Sequence, residues 1–117
     1  MNEGTQLRKY ISYIPLRLAY LKIYKVSPNH NEYKYYVSLY KSIKEYGKSH
    51  KAFFLYLTRK INVEKCKAFY KVSERTFYRI FAKQRKEFIE WLRQKETELS
   101  KLYPFDSDLD LKELQNG

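Results

Sequence analysis

Glycine is scarce: Gly4, Gly47 and Gly117 are the only three in 117 residues. No Gly-rich loop able to cradle phosphates, of the Walker or dinucleotide type, can be built from them. Cysteine is scarcer still. A lone Cys66 excludes an internal disulfide framework and fits a reducing compartment, where a small buried residue is expected at that position. His30 and His50 are the only histidines and are expected at the surface, with no cysteine or carboxylate at the spacing of a metal site, so neither metal nor cofactor is expected. No carboxylate pair sits in an apolar setting and no serine has an evident base, so no enzymatic activity is expected. The longest apolar run, Ala52 to Leu57, is far shorter than the ~20 residues of a membrane span. Met1 leads into Asn, Glu, Gly, Thr and Gln without an apolar block. Neither membrane insertion nor a secretion signal is expected, and the cytoplasm is the expected location.

What the chain does have is positive charge. Its formal net charge is +11 and its pI about 9.6, which favours an anionic partner, nucleic acid first. An AT-rich coding sequence also enriches Lys, Tyr, Phe, Ile and Asn, so arginine placement is the more informative signal. Of seven arginines, four fall between Arg75 and Arg93.

Apolar spacing predicts an all-α protein. Leu7, Ile11, Ile14, Leu18 and Leu21 mark a first helix, decorated by Arg8, Lys9, Arg17, Lys22 and Lys25, with Pro15 producing a kink or two short helices. Asn31 is the expected cap of a second helix through Tyr36, Val37, Tyr40 and Ile43, ended by Gly47; Ser49 is the expected cap of a short third. Tyr33, Tyr35, Tyr36, Tyr40 and Tyr46 recur all around that second helix, which fits packing better than a one-sided platform for stacked bases.

Asn62 and Ser73 are the expected caps of two further helices joined by the short Tyr70–Val72 turn, with Glu64 and Glu74 favourably placed against their positive ends. So tight a junction forces a steep crossing, the arrangement of a helix-turn-helix at about 62–85. Cys66, Tyr70, Val72, Phe77 and Ile80 are its expected inward residues. Glu74, Arg75, Thr76, Tyr78, Arg79 and Lys83 are expected to face water. Phe77, Phe81, Phe88, Leu92, Leu99 and Leu102 extend the last helix to about 28 residues, or to two helices bent near Lys86, with Trp91 as an anchor. Its stripe is expected to pack against the amino-terminal helices or against a second chain, which leaves monomer and homodimer both open.

Charge divides the chain. There are 23 basic against 9 acidic side chains up to Phe105, and one against four from Asp106 onward. One helical domain over 1–105 and an acidic, flexible tail over 106–117 are expected. That tail could be simply disordered, lie on the basic face as a mimic of phosphate, or contact a basic groove on another protein.

The run FFLYLTRKINVEKCKAFYKVSERTFYRI, Phe53 to Ile80, resembles the fourth region of bacterial sigma factors and, more closely, the small ArpU-like phage regulators that share its helix-turn-helix. The resemblance covers about a quarter of the chain. The pattern usually has Ala where Lys67 stands and Gly where Lys71 stands, which requires either a looser crossing or a left-handed Lys71. It implies a phage or prophage transcription regulator that binds double-stranded DNA. Arg75 and Arg79 would read bases or adjacent phosphates, with Thr76 and Tyr78 assisting from a helix opened by Ser73 and Glu74. Lys71, Lys83, Arg85 and Lys86 would hold the backbone. A DNA-packaging component such as a small terminase subunit and a sigma-like adaptor for RNA polymerase are the alternatives.

Overall fold

Residues 3–105 are described by a computed structural model. They form five α-helices and no strand: α1 (Glu3–Ile23), α2 (Asn31–Ser49), α3 (Lys51–Leu57), α4 (Val63–Tyr70) and α5 (Glu74–Leu102). The all-α expectation holds, long last helix included. The acidic tail lies outside the described residues.

α5 answers the question its length raised. Its 29 residues run without interruption past Lys86, spanning about 43 Å at 1.5 Å per residue. The molecule measures 52 × 26 × 21 Å, so this one helix sets its long axis. The stripe finds its partner within the chain: Phe88, Leu92 and Leu99 are buried in one cluster with Leu7 and Ile14 of α1, Leu39 and Ile43 of α2, and Phe53 and Leu57 of α3. Fully burying one such side chain contributes roughly 1.5–3 kcal/mol, so the cluster rather than helix propensity holds α5 in place. The stripe stops at Leu99. Leu102, expected to continue it, is exposed, because the chain turns at Tyr103 and packs Phe105 against Tyr35 and Tyr36 instead. Trp91 is half-buried against Tyr46 and Phe88, with ring centroids 4.7 and 5.7 Å apart.

Of the two outcomes expected at Pro15, the pair of short helices is not the one formed: α1 runs through the proline as a single helix. Leu7, Ile14 and Leu21 recur every seven residues and are all buried; Leu7 and Ile14 before the proline lie in the common cluster, and Leu18 after it packs against the same cluster. Pro15 itself is exposed, which places its missing N–H on the solvent side of the helix. Tyr10 completes the docking by donating its phenolic hydrogen to Glu96 Oε2 at 2.7 Å, a bond from α1 to α5. Burial, reinforced by that carboxylate, pushes the Tyr10 phenol far above its ordinary range, so it remains a donor at any physiological pH.

α2 begins one residue earlier than expected, in capping terms. His30 is the cap, its Nδ1 accepting from the Glu32 N–H at 3.2 Å, while Asn31 donates to the Pro104 carbonyl at 2.9 Å and ties the end of α5 to the start of α2. Gly47 does not stop α2. It lies inside the helix, and a Cβ there would sit 3.0 Å from Phe54 Cδ1, so the residue is small to admit the Phe54 ring. Ser49 is not the cap of α3 either: its hydroxyl points back to the Glu45 carbonyl, and His50, stacked on Tyr46 at 4.1 Å, marks the junction. The α2 tyrosines are all buried or half-buried, in keeping with packing.

Arg17 is the largest departure. Expected among the surface cations, it is buried, and its guanidinium donates through Nε and Nη2 to Glu32 Oε1, the Nε bond measuring 2.7 Å. Burial opposes the Arg17 charge, yet the hydrogen bond and field of Glu32 prevail and raise its pKa further. Two buried charges of opposite sign join α1 to α2, and losing one leaves the other uncompensated. Replacing Arg17 with Met is expected to destabilise the fold by about 3–5 kcal/mol, and replacing both Arg17 and Glu32 with Met to recover most of that loss, as chemical denaturation would measure.

Candidate nucleic-acid interface

α4 opens with Asn62, whose Oδ1 accepts from the Lys65 N–H at 2.9 Å. It closes at Lys71, which takes the left-handed conformation at φ 56° and ψ 47°. The tighter of the two options for that position is the one adopted. The Lys71 and Val72 N–H groups both return to the Lys67 carbonyl, which satisfies that acceptor at the helix end. The same device ends α1 and α3: Lys25 and Arg59 also have positive φ, and the residue after each donates to the carbonyl five positions back. All three sites would ordinarily favour glycine. Each instead carries a cation against the negative end of a helix, a partial recompense for the strain.

Only Lys71, Val72 and Ser73 separate α4 from α5. Ser73 accepts from the Thr76 N–H at 3.3 Å and donates its own hydroxyl hydrogen to Thr76 Oγ1 at 3.1 Å. Ser73 and Thr76 are therefore occupied in starting α5. Below the turn, Cys66 and Phe77 are fully buried, but Tyr70, Val72 and Ile80, expected beside them, are only partly so. The reason is a third wall. α3 supplies buried Ala52, Phe53 and Leu57, and the Cys66 thiol donates to the Ala52 carbonyl at 3.7 Å, so the pair of helices shares its core with α3. Burial pushes the Cys66 thiol up, away from the reactive thiolate. Tyr56 of α3 packs edge-on against Phe77 and Phe81, and the Tyr70 hydroxyl donates to Gln84 Oε1 at 3.0 Å, pinning α4 to α5.

With Phe77 and Phe88 held inward, the helical repeat of 100° per residue fixes what points out. Arg75, Arg79, Lys83 and Lys86 fall within an arc of about 80° on the opposite side. All four are exposed, and none is drawn into a salt bridge with another described residue. They make a cationic ridge along about three turns of α5, which Glu87 and Glu90 end. Glu74 is exposed in the first turn, and Lys71 is exposed at the turn itself.

Tyr78 and Arg85 occupy a different flank. They line a cleft of about 760 Å³ together with Arg8, Arg59, Lys60 and Lys65, and the Arg85 guanidinium lies 5.7 Å from the centre of the Phe81 ring. Arg85 is thus set apart from the ridge cations with which it was grouped. The sequence does not mark Arg8, Arg59, Lys60 and Lys65 as site residues, because they come from α1, the α3–α4 segment and α4 and share no periodic pattern with α5. Among the described residues no group of three or more His, Cys, Asp and Glu could hold a metal ion, and no helix is long and apolar enough to cross a membrane.

Compared with protein-family models, curated proteins and solved structures, the chain matches none.

Replacing Lys71 with Gly is expected to raise folding stability by about 1 kcal/mol, since glycine enters the left-handed region without steric cost. Thermal or chemical denaturation of the variant checks this.

Proposed function

We propose that the protein is a sequence-specific, double-stranded DNA-binding regulator of transcription, with the amino-terminal half of α5 as its reading helix. One observation carries the proposal: four exposed cations on the outer side of α5, rigidly backed by Phe77 and its neighbours, directly after a three-residue turn. An α-helix fits the major groove, and two arginines separated by one turn can each offer a planar fork of donors to guanine O6 and N7 or to phosphate. Arg75 and Arg79 read bases. Lys83 and Lys86 hold the flanking phosphates, and Glu74 can accept from a cytosine amine. The net charge of +11 speeds the approach to the polyanion.

The likeness of Phe53–Ile80 to ArpU-like regulators and sigma region 4 adds a phage or prophage setting and RNA polymerase as a further partner, and the single cysteine supports a cytoplasmic location. No catalytic step belongs to this proposal. Because the α5 stripe is satisfied within one chain, a monomer, or a dimer formed through some other surface, is favoured over assembly through α5.

Two substitutions test these roles. Arg79→Ala should cost about 1–3 kcal/mol of binding free energy and relax discrimination at one base position, whereas Lys83→Ala should weaken binding to all sequences alike. Affinities measured by fluorescence anisotropy on a selected fragment and on a mixed-sequence duplex would separate the two effects. Wild-type affinity that barely changed with salt concentration would refute the proposal, because neutralising phosphates must release counterions.

A further inference from the structure

The cleft beside α5 is unexplained by a ridge that points elsewhere. Five cations meet there: Arg8 from α1, Arg59 and Lys60 from the segment joining α3 to α4, Lys65 from α4, and Arg85 from α5. Among the described residues no carboxylate lines it. Glu64, next to Lys65 in sequence, is paired with Lys67 at 3.3 Å. So dense a set of cations, drawn from α1, α4, α5 and the segment between α3 and α4, attracts an anion. The amino-terminal ends of α1, at Gly4, and of α4, at Asn62 and Val63, also border the cleft and add their positive dipole ends.

The shape and position of the cleft indicate the kind of anion. It is an open trough, lined by the rings of Tyr56, Tyr78 and Phe81 as well as by the cations. Tyr78 is 46% exposed and stands between Arg75 and Arg79 in sequence, so the flank of the ridge is also a wall of the cleft. A ligand running off the ridge past Tyr78 would meet the cations of this cleft. We infer that this cleft holds the phosphodiester backbone of the same duplex that the ridge reads, extending the contact beyond the helix-turn-helix to α1 and the α3–α4 junction. The inference rests on the DNA-binding reading above. It adds Arg8, Arg59, Lys60 and Lys65 as positioning residues, which set register and affinity and carry no base discrimination.

Lys60 and Lys65 are both exposed, so removing them leaves the core intact. The double variant Lys60→Ala/Lys65→Ala should keep the wild-type melting temperature. On a selected genomic fragment and on a mixed-sequence duplex alike, it should lose several-fold in affinity, with the slope of log affinity against log salt shallower by about 2, roughly one unit per cation. Lys60→Arg/Lys65→Arg should restore both. Phosphate ethylation interference on the wild-type protein supplies a readout independent of any variant: ethylating phosphates that flank the recognised motif should block binding. An unchanged slope and affinity in the double alanine variant, or binding indifferent to ethylation outside the motif, overturns the cleft assignment and leaves the ridge reading standing. A wild-type protein with no salt-dependent affinity for duplex DNA overturns both.

Discussion

One uninterrupted helix does two tasks at once, and the rest of the structure follows from that constraint. The carboxy-terminal two thirds of α5 bury Phe88, Leu92 and Leu99 in the common core, while its first turns carry Arg75 and Arg79. Because a helix has a fixed angular repeat, burying one set of side chains dictates the direction of the other. The bundle formed by α1 and α2 thus orients the ridge, even though it lies largely at the far end of the molecule. α3 and α4 secure the near end, through Phe53, Leu57, Cys66 and the Tyr70–Gln84 hydrogen bond.

Cations in this chain serve three physically different purposes. Arg17 is withdrawn from water and matched to Glu32, where it fixes how α1 meets α2. Lys25, Arg59 and Lys71 occupy left-handed positions at helix ends, the conformations that a chain with so few glycines must assign to other residues. Arg75, Arg79, Lys83 and Lys86 have no described partner of opposite charge and are free to meet one. Net charge alone would have lumped these sets together. Burial and backbone geometry separate them, and only the last set, with the neighbouring cleft, has the form of a binding surface.

Local signals were legible in the sequence wherever one residue could settle them. The caps Asn62 and Ser73, the short turn between α4 and α5, and the burial of Phe77 and Cys66 all follow from spacing and capping chemistry, while the apolar spacing left one long α5 and two bent helices both open. Signals failed where tertiary contact overruled a local rule. Pro15 left room for two short helices, but Leu7 and Ile14 before it and Leu18 after it hold one helix to one core. Gly47 resembled a helix stop until the Phe54 ring supplied another reason for it. Arg17 resembled a surface cation because nothing adjacent revealed Glu32, fifteen residues away. The cleft was invisible for the same reason, since its cations come from residues 8, 59, 60, 65 and 85 and converge only after folding.

The most direct test of the central claim, that the ridge of α5 enters the major groove, is selection of bound genomic fragments followed by methylation interference at guanine N7. A shared motif whose guanines cannot be methylated without loss of binding is the expected result, because N7 lies in the major groove where Arg75 and Arg79 would reach it. Fragments with no common motif, or binding untouched by N7 methylation, would contradict it.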